Sequence, residues 1–188
     1  KFTIRYSYTH HAYIGHTIKS RAAENHILYN RIMSENDGYT SYEINIPDGG
    51  LTYIIGNLIQ QVDNPYCQNN VIISYGEESN INPTQEMYVV NNTMVNDRQN
   101  GCSFVKTDGA SASWIANNIF VGNGSLTAGT GTSTLTNNLT MDPGYLVDRA
   151  AFDYHLETGA PAIDQGFDPG SAHGVDLTPQ YEYVHPVD

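Results

Sequence analysis

Apolar residues along this chain fall in short alternating runs broken by Gly, Asn, Asp and Pro, a pattern that predicts many short strands and almost no helix. A longer period is superimposed on the alternation. The motif apolar-x-x-Asn-x-apolar occurs at Ile27–Ile32, Ile54–Ile59, Val89–Met94 and Ile115–Phe120, with a weaker fifth copy at Leu135–Thr140. The separations between its asparagines are 27, 35, 26 and 20 residues. A second apolar strand precedes most copies: His16–Ser20, Tyr42–Ile46, Asn70–Ser74 and Cys102–Lys106. Each unit therefore reads strand, turn, strand, loop. Units of this size cannot bury an apolar face alone and become stable by stacking, which is the logic of a solenoid.

Because every unit runs the same way, equivalent strands pair in parallel at about 4.8 Å, and five to six coils make a rod about 25–30 Å long. The fold class predicted is thus all-β, a single-stranded parallel β-solenoid. A β-sandwich is the alternative, but it needs more hairpin signals and would not repeat one motif on its strands. The repeated asparagine has a physical reason in the stack. Its amide donates to one neighbour and accepts from another, so Asn30, Asn57, Asn92, Asn118 and Asn138 are predicted to form a hydrogen-bonded column at one corner.

The 188 residues suit one domain, with 1–140 as regular coils and 141–188 as an irregular closing segment. Lys1 in place of Met suggests a processed or trimmed chain, the C-terminal part of a longer helix. The formal net charge of −12 opposes nucleic acid as a partner, and the lack of a long apolar run excludes insertion into a membrane. With two Cys and no Cys-x-x-Cys, neither a zinc ribbon nor a redox motif can be built. Cys67 and Cys102 each follow a motif asparagine, Asn57 and Asn92, by ten residues. A shared register would bring them within disulfide reach in an oxidising compartment, the alternative being two buried thiols. Asp63-Asn64-Pro65 and Asp142-Pro143-Gly144 are turn sequences before they are calcium ligands, and Asn91, Asn123 and Asn138 open Asn-x-Ser/Thr sequons.

The repeat resembles the right-handed parallel β-helix proteins of the pectate-lyase-like superfamily over nearly the whole chain. Gly15–Ala22 followed by Ser41–Gly50 is similar to exported bacterial β-helix proteins, and Tyr154–Gly166 resembles their closing motif. Ile18-Lys19-Ser20 ahead of an Asn-x-Ile strand resembles the alginate and chondroitin lyase branch. That resemblance implies a secreted or cell-surface protein and a lysine base, here Lys19, assisted by an arginine one coil later. The next coil carries Tyr42, Glu43 and Asn45 in that place, and Arg21 lies on the strand of Lys19 itself.

β-Elimination on a uronate requires its carboxylate to be neutralised by Arg, Lys or a divalent cation so that a base can remove the C5 proton. The candidate catalytic residues are accordingly Lys19, Arg21 and His16, and the candidate binding residues Tyr42, Glu43 and Asn45. With Ile18, Ile44 and Ile46 inward, strict alternation sends Lys19, Glu43 and Asn45 to the outer face and makes Lys19 and Glu43 neighbours. No cofactor is required, although a divalent cation such as calcium would serve as the neutraliser. Two functions stay open at this point: binding, with cleavage by β-elimination, of a polysaccharide laid along the strand face, and a non-enzymatic solenoid. The second would self-associate end to end into extracellular filaments or dock on a larger surface assembly.

Overall fold

A computed structural model describes residues 1–64 and 70–184. It is a single-stranded parallel β-helix of about six coils, with three parallel sheets running along the rod. The first sheet comprises Phe2–Arg5, Glu24–Leu28, Leu51–Ile55, Glu86–Val90, Ala112–Ala116 and Thr132–Thr136. The second comprises Tyr8–His10, Arg31–Met33, Leu58–Gln61, Thr93–Asn96, Ile119–Val121 and Leu139–Met141. The third has five strands: His16–Lys19, Tyr42–Ile46, Val71–Tyr75, Cys102–Thr107 and Gly124–Ala128. Among the described residues no helix is long and apolar enough to cross a membrane.

The motif positions stand in register. Ile27, Ile54, Val89, Ile115 and Leu135 form one row of the first sheet. The first four of these are fully buried, in one core cluster with inward residues of the other two sheets such as Ile59, Phe120, Ile44 and Phe104. A coil supplies only a few apolar side chains, so the core exists because neighbouring coils close over one another.

At the corner between the first two sheets the chain turns in two residues. The first is left-handed in every coil: Tyr6, Tyr29, Gly56, Asn91, Asn117 and Asn137 all have φ between 49° and 67°. Side chains are tolerated at five of these positions, but at Gly56 a Cβ would lie 2.7 Å from the ring of Tyr29. From the second coil onward, the second residue of the turn is the ladder asparagine. Asn30 Nδ2 donates to Asn57 Oδ1 at 3.0 Å, Asn57 to Asn92 at 2.9 Å, Asn92 to Asn118 at 3.0 Å and Asn118 to Asn138 at 2.9 Å. Each of these Oδ1 atoms also accepts the donor residue's own backbone N–H at 2.9–3.0 Å. The column thereby satisfies the backbone groups that the tight turn turns away from the sheets.

After the last coil the chain reverses and runs back along the rod. Residues 146–162 pack Leu146, Tyr154 and Ala160 onto Met33, Val95, Val121 and Met141 of the second sheet. The return path then crosses the corner: Asn137 Nδ2 donates to Gln165 O, and Asn117 Nδ2 to Phe167 O, both at 2.7 Å. On the first sheet Tyr53 Oη donates to Ala172 O at 3.1 Å, and Leu177 packs with Tyr29, Tyr53, Ile55 and Val90. Beside the first coil, Tyr181 packs its ring edge-on against Tyr6 and Tyr29. The outward side chains of the left-handed positions are thus the docking points of the closing segment.

Candidate functional site

Two of the three outer faces are covered by the closing segment. The hydrogen bonds and ring contacts of residues 142–184 reach the first and second sheets, and among the described residues none falls on the third. Along that uncovered face one register row runs Lys19, Asn45, Ser74, Lys106 and Ala128. Rungs about 4.8 Å apart put the two lysines about 14 Å from each other along the rod.

Around this row the side chains form one polar network. Asn45 Nδ2 donates to Glu77 Oε1 at 2.7 Å and lies 3.3 Å from His16 Nε2. Ser74 Oγ donates to Glu77 Oε2 at 2.8 Å. The His16 ring stacks on Tyr42, centroids 5.0 Å apart and planes within 8°. Burial, then the charge of Lys19, pulls the imidazole below its ordinary range, so His16 is neutral near pH 7. With Nε2 taking the Asn45 amide proton, Nδ1 carries the ring hydrogen; neither it nor Asn45 Oδ1 has a partner among the described residues. Burial, followed by the Glu77 carboxylate, pushes the Tyr42 phenol up to about 12, so it remains a donor.

Every cation of the face meets a carboxylate. Lys19 Nζ lies 3.4 Å from Glu78, and Arg21 bridges Asp48 at 2.8 Å and Glu78 at 2.5 Å. Lys106 Nζ lies 2.6 Å from Asp108 and 3.9 Å from Glu77. Three cations against Asp48, Glu77, Glu78 and Asp108 leave the cluster one charge negative.

Of the residues singled out in the sequence, the structure therefore gathers His16, Lys19, Tyr42 and Asn45, with Arg21 at the edge. Glu43 is corrected: it does not stand beside Lys19 on the outer face. Its register neighbour is Thr17, between the pairs His16↔Tyr42 and Ile18↔Ile44. It is fully buried and accepts from Ser34 Oγ at 2.5 Å, Thr17 Oγ1 at 2.7 Å and Thr40 Oγ1 at 2.8 Å. Asn45, expected to emerge, is likewise buried, under Glu77. The reason is that alternation fails in this sheet: consecutive residues Ile72 and Ile73, and Phe104 and Val105, all belong to the core. Ser74, Glu77 and Lys106 were missed, because the asparagine motif aligns the first two sheets but leaves the third to loops of unequal length.

Cys67 lies outside the described residues. Cys102 is buried with a free thiol, and the register Ser103↔Val71 puts it level with Asn70. For a metal, the described residues offer His10, His11 and Glu35, whose ligand atoms lie within 4.8 Å of one another, with Asp37 2.9 Å from His11. Two imidazoles suit a transition metal and not calcium. This cluster does not belong to the polar row; it sits at the end of the second-sheet strand Tyr8–His10. No family model matches the chain, and neither do the curated proteins or solved structures with which it was compared.

Proposed function

We propose that the uncovered outer face of the third sheet binds a polysaccharide laid across the strands, and that the polymer is neutral. The observation that carries this reading is the row Lys19, Asn45, Ser74 and Lys106 on the one sheet that the closing segment leaves open. Buried Asn45 and Ser74 hold Glu77 in place, so the groups this face presents to solvent are the ammonium groups of Lys19 and Lys106 and the carboxylates of Glu77 and Glu78, which suit the hydroxyls of a sugar chain, with the half-buried ring of His16 beside them. The pairing of every cation with a carboxylate argues against a polyanion, which would have to displace Glu78 and Asp108 to find positive charge. The same pairing argues against β-elimination, since Lys19 faces Glu78 and the ring lone pair of His16 is taken by Asn45. The reading carries with it a place among pectate-lyase-like β-helices and a location outside the cell.

Affinity electrophoresis against neutral and uronic-acid polymers, with ultraviolet absorbance followed for an unsaturated product, tests it. Retardation by a neutral polymer, weakened in Lys19→Ala and Lys106→Ala, is the expected result. Absence of retardation by every neutral polymer would overturn the binding reading. An absorbance rise with a uronate polymer that disappears in Lys19→Ala would install the lyase reading in its place.

A further inference from the structure

A second site lies on another face of the rod, between the second sheet and the closing segment. The outer register row of that sheet runs Tyr8, Arg31, Leu58, Thr93 and Ile119. Residues 151–156 and 179–184 stand over it without filling the space, and a cavity of about 730 Å³ remains, lined by Arg31, Leu58, Ile119, Phe152, Tyr154 and Tyr181 among others. That volume is in the range of small-molecule sites, roughly 300–1,000 Å³.

Two polar groups in its wall are unmatched. Arg31 is 5% exposed. Its Nε donates to Met33 Sδ at 3.1 Å, and its guanidinium carbon sits 5.1 Å from the centre of the Tyr8 ring and 5.8 Å from that of Phe152. Among the described residues it has no carboxylate partner, unlike Arg21 and Arg149, which both form ion pairs. Tyr154 is 6% exposed, and its hydroxyl is buried with no hydrogen-bond partner. A largely buried guanidinium held by rings and one thioether is under-compensated, because its remaining N–H donors have no protein acceptor and only the cavity to face.

We propose that this cavity binds a small organic monocarboxylate, its carboxylate held by Arg31 and Tyr154 and its apolar body by Leu58, Ile119, Phe152 and Tyr181. The planar fork of Arg31 matches a carboxylate in bidentate geometry, and the phenol supplies a further donor. A single negative charge is favoured over a phosphate ester. One cation is available, and the other ionisable groups of the wall include Glu182 and an Asp153 already bonded to His155, whose carboxylates oppose a second charge. The walls are otherwise mainly apolar, which selects a hydrophobic body. This site is independent of the polysaccharide reading, since it uses another sheet and none of the same residues.

Calorimetric titration of the full chain with 3-phenylpropionate, hexanoate and benzoate, each against its primary amide, tests the proposal. At least one carboxylate is expected to bind roughly ten- to a hundredfold tighter than its amide, the range for hydrogen bonds to a charged group. Arg31→Met, which keeps the apolar contacts, should abolish that preference, and Arg31→Lys should retain only part of it. Tyr154→Phe preserves the shape and should weaken the carboxylate several-fold while leaving the amide unchanged. Equal binding of acid and amide, or no binding of any of the three acids at millimolar concentration to the wild-type chain, overturns the proposal whether or not Arg31→Met folds.

Discussion

Glu43→Gln is the substitution with the most clearly signed outcome. In the register rows of the third sheet, Glu43 occupies the level at which the next coils place Ile72 and Phe104, so a carboxyl stands where the stack is otherwise apolar. Burial pushes it up to about 7, and the bonds from Ser34, Thr17 and Thr40 pull the other way without cancelling the effect. In the unfolded chain the same group titrates near about 4.3. Between those values the folded state keeps a proton that the unfolded state has released, so stability falls as pH rises through this window and levels off above it. At about 1.4 kcal/mol per pH unit the loss amounts to about 3 kcal/mol at pH 8 relative to pH 4. Glutamine fits the site and cannot titrate. Urea unfolding of both proteins from pH 4 to pH 8 should give a stability difference that moves in favour of the variant by that amount. Other titrating groups are common to both chains and drop out of the comparison. Profiles that stay parallel within about 0.5 kcal/mol, near the precision of such measurements, would refute the reasoning.

Asn57→Leu should cost more than about 3 kcal/mol in urea unfolding, because it leaves the backbone N–H and one side-chain N–H of Asn30 and the Ile27 carbonyl without their partner and removes one of the two donors to Asn92 Oδ1. Asn137→Leu, one residue ahead of the ladder and exposed, gives up two exposed bonds and puts leucine at a left-handed position, and should cost about 1–2 kcal/mol, clearly less than Asn57→Leu; equal costs would show that the column is not what holds the corner. Burial pushes the Cys102 thiol up to about 12, so peptide mapping after iodoacetamide treatment at pH 8 should find it unmodified in native protein and alkylated in urea; rapid native labelling would contradict its burial.

The rungs and the ladder were legible because one residue type carries both pieces of information. An asparagine that must sit at a two-residue corner marks the phase of every coil, and the apolar residues on either side then fall into rows. The third sheet was legible in extent but not in facing. Tyr42–Ile46 is a strand as expected, yet two consecutive inward levels put Glu43 inside, and nothing in Tyr-Glu-Ile-Asn-Ile signals the irregularity. Arg31 is one among eight basic residues, and nothing beside it in the sequence marks it as buried. Its burial depends on residues 151–156 and 179–184 folding back more than a hundred positions later, a contact with no local trace in the sequence.

The return of the closing segment along the rod has a consequence for how such a molecule can change length. The ladder alone sets no limit: each asparagine offers the same acceptor below and the same donor above, so a duplicated coil carrying its own asparagine would splice in at either side. The segment from Gln165 to Tyr181, in contrast, is tied at both ends, to Asn137 beside the last coil and to Tyr6 and Tyr29 beside the first two. An added coil would lengthen the interval between those ties by about 4.8 Å, and the segment would need one or two more extended residues to keep both. It acts as a ruler, so insertion or loss of a coil calls for a matching edit at a distant place in the same chain.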